Sequence, residues 1–142
     1  MKKICVLIIS LFVFEIASAQ LLNGGGDFKF VAAYGSDGYE TELPGHTNKV
    51  NVMIVTTNFF GVAQTSCSYA EYNLVTGMLG GYITFDNYIG KRNGWHVYSW
   101  NGNFIFVDDE FERIRVKMAF YNGKYCEYVR YNVNDDIDDV TR

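Results

Sequence analysis

Closely spaced turn signals constrain the fold of this chain more than any other feature. Three Asn-Gly pairs, Asn93-Gly94, Asn101-Gly102 and Asn122-Gly123, tolerate the positive φ angles of a type I′ hairpin turn. The segments between the turns are rich in Val, Ile, Tyr, Phe and Thr and alternate apolar with polar residues, as half-buried strands do. We therefore expect an all-β antiparallel β-sandwich of seven or eight short strands, with a flattened β-barrel as the alternative.

The two ends of the chain depart from this pattern. Residues 1–19 begin with Met-Lys-Lys, continue in an apolar run and end in Ala-Ser-Ala, as a cleaved signal peptide does. The run is shorter than the about 20 apolar residues that span a bilayer, so no membrane span is expected after cleavage. We predict a secreted protein, extracellular or, in a bacterium, periplasmic. A flexible lead-in at 20–27, a single β domain at 28–133 and an acidic tail at 134–142 should follow.

Two cysteines, Cys67 and Cys126, remain once the signal segment with Cys5 is removed. An even number of cysteines in an oxidising compartment predicts one disulfide between them. The alternative is two free buried thiols, because cysteine also serves as a small core residue.

Charge and composition exclude several function classes. The chain has 12 Lys and Arg against 16 Asp and Glu, a net charge of −4, which argues against nucleic acid as a partner. His46 and His96 are the only histidines, too few for the three or four ligands of a typical zinc site. No nucleophile motif surrounds a serine or cysteine. The sequence therefore predicts no catalytic residue, no metal site and no cofactor, and a small secreted hydrolase using carboxylates or His96 is the least favoured alternative.

The clearest surface feature lies around the Asn122-Gly123 turn. A two-residue turn there would place Arg115 opposite Arg130 and gather basic side chains on one face of the hairpin. This predicted basic face comprises Arg113, Arg115, Lys117, Lys124 and Arg130, together with Tyr121 and Tyr128. Guanidinium groups among aromatic rings suit an anionic glycan or an acidic protein partner. Alternatively, the acidic residues at 108–112 or the acidic tail neutralise the face.

The Asn101-Gly102 hairpin supplies a second candidate surface. One of its faces presents His96, Tyr98 and Trp100 against Ile105 and Val107. Tyr98 and Trp100 could stack a sugar ring or hold a partner, since each offers a large apolar area with a polar end. The alternative is a central strand buried on both faces. Together these features predict a secreted non-enzymatic binding module, with a β-barrel carrier of an apolar ligand as the alternative.

Overall fold

A computed structural model describes residues 22–72 and 79–131 of the chain. The predicted signal peptide and the predicted acidic tail lie outside these ranges. None of the described helical segments is long and apolar enough to cross a membrane.

The described residues form ten strands rather than seven or eight, and the all-β prediction is confirmed. The strands are β1 Gly24–Tyr34, β2 Glu40–Thr41, β3 Lys49–Phe59, β4 Val62–Tyr72, β5 Leu79–Phe85, β6 Asn87–Arg92, β7 Trp95–Trp100, β8 Asn103–Asp108, β9 Arg113–Lys117 and β10 Tyr125–Arg130. One turn of 3-10 helix, Ala119–Tyr121, lies between β9 and β10. The predicted Asn-Gly turns follow their sequence signal, because Asn93, Asn101 and Asn122 all have positive φ.

All ten strands belong to one antiparallel sheet that curls almost into a barrel. The strand order is β5-β4-β3-β1-β10-β9-β8-β7-β6, and the short β2 pairs with β1. β5 and β6 are the two ends of this order, yet only Asp86 separates them in the chain. Since consecutive Cα atoms are about 3.8 Å apart, the joined ends of these strands lie within about 7.6 Å of each other. The two sheet edges must therefore approach one another, as in the flattened-barrel alternative.

Aromatic side chains fill the interior. The largest side chains with almost no exposed surface are Tyr69, Tyr98, Tyr128, Phe28 and Phe85. The Tyr98 hydroxyl lies 3.1 Å from the Thr65 hydroxyl, joining β7 to β4 across the interior, and the Tyr128 hydroxyl donates to the Thr47 carbonyl at 2.9 Å. Buried hydroxyls need such partners. The opposing walls are thus in direct contact.

The glycine-rich segment expected to be a flexible lead-in forms the first part of β1. Residues 24–26 pair with residues 52–54 of β3. A Cβ atom on Gly25 would lie only 2.3 Å from the Val52 carbonyl oxygen. Glycine here allows two backbones to approach closely, which is a strand role and not a linker role.

The predicted disulfide is wrong, because Cys67 and Cys126 are both free and buried. Cys67 lies on β4 and Cys126 on β10, and β3 and β1 separate these strands in the sheet. With about 4.8 Å between neighbouring strands, the strand spacing alone separates the two positions by roughly 14 Å across the sheet. A disulfide needs Cα atoms within about 7 Å. The two thiols instead pack as small apolar core groups.

The two predicted hairpin registers had different outcomes. Around Asn101-Gly102 the register is confirmed, with Tyr98 opposite Ile105. The register of β9 with β10 was wrong: Arg115 lies opposite Glu127 and not Arg130. The 3-10 turn extends the connection to residues 118–124, which shifts the pairing by three residues. An odd shift exchanges the two faces of β10.

Candidate binding site

Three of the five predicted basic residues share the outer face of the sheet. Arg113, Arg115 and Lys117 alternate along β9, while Ile114 and Val116 between them are fully buried. The alternation follows from the two-residue period of a strand, with one face on the core and one on solvent.

The other two predicted cations lie elsewhere. Lys124 precedes β10, and its Nζ donates to the Glu42 carbonyl at 3.3 Å. Arg130 is exposed at the end of β10, with its Nη2 3.5 Å from the Gly25 carbonyl oxygen. Arg130 falls on the opposite strand face from Glu127. The five cations therefore do not form one surface.

The predicted aromatic contact residues are mostly part of the core. Tyr98, Tyr121 and Tyr128 are buried, and only Trp100 is substantially exposed, at the end of β7. Tyr128 turns inward because the shifted register places it opposite Ile114. Tyr98 faces inward with Ile105, as the buried-strand alternative allowed.

Glu127 partly neutralises the basic face. It is 6% exposed, and its Oε1 lies 3.2 Å from Arg113 Nη1, while its Oε2 lies 3.7 Å from Arg115 Nε. The acids at 108–112 have other contacts: the Asp108 side chain accepts the Glu112 backbone N–H at 2.8 Å, and Asp109 pairs with Lys91. The described counter-ion thus comes from β10 and not from the 108–112 loop.

Arg115 is the centre of a groove that we call the Arg115 groove. Its guanidinium carbon lies 4.6 Å from the centre of the Trp95 ring and 5.3 Å from the centre of the Tyr125 ring. Both distances are in the range of cation–π attraction. The groove has a volume of about 340 Å³. It is lined by Arg92, Asn93, Trp95, Phe106, Arg115, Lys117 and Tyr125.

Strand pairing assembles this groove from five strands. Phe106 of β8 lies directly opposite Arg115 of β9, and Arg92 of β6 lies opposite Trp95 of β7. Tyr125 enters from β10 and stacks on Tyr34 of β1 with ring centres 5.4 Å apart. The seven lining residues include three cations and no acid.

The protein leaves part of the hydrogen-bonding capacity of Arg115 unused. The Nε atom is buried and has no hydrogen-bond partner among the described residues. Glu127 Oε2 is 3.7 Å from this atom, beyond hydrogen-bond distance. An unsatisfied buried donor costs about 1–3 kcal/mol. The described contacts of the guanidinium are its two aromatic rings and the ion pair with Glu127.

A second polar cluster lies on the inner side of the sheet near its edge. His96 is fully buried, with Nδ1 2.9 Å from the Tyr88 hydroxyl and Nε2 2.6 Å from Asp109 Oδ1. Lys91 Nζ donates to the other Asp109 oxygen at 2.6 Å. Burial raises the pKa of Tyr88, which keeps its phenol protonated at neutral pH. This arrangement holds the β6–β7 edge together and does not activate Tyr88 as a nucleophile.

Thiol and metal chemistry have little support among the described residues. Burial raises the pKa of the Cys126 thiol to about 11 and that of Cys67 further, which disfavours the reactive thiolate. Residues 22–72 and 79–131 contain no cluster of three or more His, Cys, Asp or Glu side chains able to hold a metal ion.

Comparisons with protein-family models, curated proteins and solved structures found no match to this chain. The candidate site therefore depends on geometry alone. Sequence reasoning found Arg115 and Lys117 but gave no role to Trp95, Phe106 or Tyr125. The available signal was the Asn101-Gly102 hairpin, whose register puts Trp95 and Phe106 on one face.

Proposed function

We propose that this chain is a secreted non-enzymatic binding module that holds an anionic glycan in the Arg115 groove. The observation that carries the proposal is the Arg115 guanidinium, which lies against the Trp95 and Tyr125 rings while 36% of the Arg115 side chain remains exposed. Arg92 and Lys117 add positive charge at the same groove. Sulfate and carboxylate groups are bound by such donors, while the aromatic faces suit the apolar face of a sugar ring.

The size and charge of the groove support a small charged ligand. Its volume of about 340 Å³ lies at the lower end of the roughly 300–1,000 Å³ typical of small-molecule sites. Glu127 offsets only part of the charge, because Arg92 and Lys117 form no described ion pair with it. The groove therefore attracts anions even though the chain as a whole is acidic.

The two alternative functions have weaker support. A carrier of an apolar ligand needs an internal cavity, whereas large aromatic side chains occupy the described interior. A hydrolase based on His96 needs an activated nucleophile, whereas the phenol beside His96 has a raised pKa.

The test is titration of the mature protein with a sulfated disaccharide and with its unsulfated counterpart, followed by amide NMR and calorimetry. A double variant, Arg92→Ala with Lys117→Ala, removes two groove cations without leaving Glu127 unpaired. If each cation contributes about 1 kcal/mol to binding, affinity should fall roughly 30-fold. The matched control, Lys29→Ala with Arg130→Ala, removes the same charge outside the groove and should bind nearly as wild type.

Two results would contradict the proposal. One is the absence of shifts at Trp95, Arg115 and Tyr125 when sulfated ligand is added. The other is an equal loss of affinity in both double variants, because binding would then follow net charge and not the groove. Melting temperatures of all variants confirm that each one is folded.

A further inference from the structure

The β3–β4 hairpin ends in exposed apolar side chains. Phe59, Phe60 and Val62 are 69%, 93% and 62% exposed, and we call these three residues the apolar tip. The two phenylalanine rings contact each other edge to face at 4.6 Å, and Phe59 lies opposite Val62 across the turn. Exposed apolar groups clustered in this way mark a contact surface.

Phe60 is also strained. It has φ 51° and Gly61 has φ 81°, the positive pair that a type I′ turn requires. In the Asn-Gly turns of this chain, asparagine has the corresponding φ, whereas a bulky side chain is disfavoured there. Phe111 has a similar φ of 56° but is buried, so core packing offsets its strain. Phe60 has almost no such burial within the described fold.

Among residues 22–72 and 79–131, the apolar tip is far from the charged residues of its own hairpin and of the flanking strands. The β3–β4 hairpin has no charged residue between Lys49 and Glu71. These two residues lie at the end of the hairpin that is farthest from the apolar tip. The strands that flank this hairpin are β1 and β5. The charged residue nearest the tip on these strands or directly after them is Asp86, which follows β5 and lies opposite Ser66. Ser66 is four residues beyond Val62, or about 13 Å at 3.3 Å per residue. Interfacial segments enter a bilayer by only about 5–10 Å. The apolar tip could therefore insert fully while Asp86 stays in water.

We propose that the apolar tip docks this protein reversibly on the interfacial region of a lipid bilayer. Two aromatic rings and one valine supply the buried apolar area, and the uncharged hairpin carries no ion into the lipid. The lack of cations on the hairpin means that anionic lipid is not required. This inference is independent of the Arg115 groove, whose residues lie on β6 to β10.

The test is flotation of the mature protein with phosphatidylcholine vesicles. The decisive variant is Phe60→Asn, because asparagine accepts the turn conformation and should keep the fold at least as stable. Phe120→Asn is the matched control, since Phe120 is 72% exposed but lies on the 3-10 turn. Wild type and the control should float, and the bound fraction of Phe60→Asn should fall about tenfold or more.

Three outcomes would overturn the proposal. One is that wild type stays with the soluble fraction, and another is that Phe60→Asn floats as well as wild type. The third is a dimer in gel filtration without lipid that Phe60→Asn dissociates, which would mean that the apolar tip contacts a second copy of the chain. A circular dichroism melt of Phe60→Asn at or above the wild-type temperature shows that lost flotation is not lost folding.

Discussion

Replacing Gly25 by alanine tests whether the glycine-rich segment is a strand or a flexible lead-in. The new Cβ would lie 2.3 Å from the Val52 carbonyl oxygen and 2.9 Å from the Met53 Cα. Ordinary contact begins at 3.4 Å, so β1 and β3 must separate by roughly 1 Å. Such overpacking costs about 1–3 kcal/mol, and the lower entropy of the unfolded alanine chain offsets about 0.4–1 kcal/mol. We expect a net loss of about 1–2 kcal/mol in the free energy of unfolding.

Gly26→Ala is the matched control, one residue along the same strand. Its Cβ would lie 3.2 Å from Arg130 Nε, which belongs to an exposed side chain that can move away. We expect Gly25→Ala to lower the melting temperature by about 4–8 °C and Gly26→Ala to change it little or raise it. Thermal unfolding followed by circular dichroism measures both variants. Equal melting temperatures for the two would falsify the pairing of residues 24–26 with β3.

Two further predictions concern the cysteines and the His96 cluster. Cys67 and Cys126 should each react with iodoacetamide in the denatured, unreduced protein but not in the native protein, as measured by mass spectrometry. If neither cysteine is alkylated after denaturation, the two form a disulfide and this prediction is wrong. Hydrogen bonds from Lys91 and His96 lower the pKa of the Asp109 carboxyl in the folded protein. Ionised Asp109 therefore stabilises the fold at pH values above its unfolded pKa of about 4, and this stabilisation is lost as the pH falls through the lower pKa of the folded state. Asp109→Asn should reduce the melting temperature at pH 7 and make the melting temperature fall less steeply between pH 5 and pH 2. Thermal melts that give the same pH dependence for the variant and wild type would contradict this.

The candidate site was predictable only where local rules set the register. The Asn101-Gly102 turn has two residues, so counting outward gave the observed pair of Tyr98 and Ile105. The same counting failed at Asn122-Gly123, because Ala119–Tyr121 forms a 3-10 turn with Tyr121 buried in the core. The Asn122-Gly123 turn itself forms, with the Lys124 N–H donating to the Tyr121 carbonyl at 3.2 Å, but β9 and β10 do not pair directly outward from it. Tyr128, expected on the surface, turned inward as a result.

The Arg115 groove shows the same limit. Alternation along β9 correctly placed Arg113, Arg115 and Lys117 on one outer face. The neighbours of Arg115 depend on how adjacent strands pair, and Phe106 lies opposite Arg115 across the short connection at 109–112 between β8 and β9. That connection has no Asn-Gly signal from which its register could be counted. Glu127, which the predicted register placed on the core face, became the counter-ion for the same reason.

The sequence alone determined the all-β class, the positions of the Asn-Gly turns and the alternation of the two faces along strands such as β9. These properties depend on the φ preferences of asparagine and glycine and on a two-residue period, which act over a few residues. Tertiary structure alone decided the closure of the sheet, the separation of Cys67 from Cys126 and the meeting of Trp95, Arg115 and Tyr125. Those features concern the relative positions of residues that are apart in the chain. They depend on the packing of a shared core, which no short segment specifies.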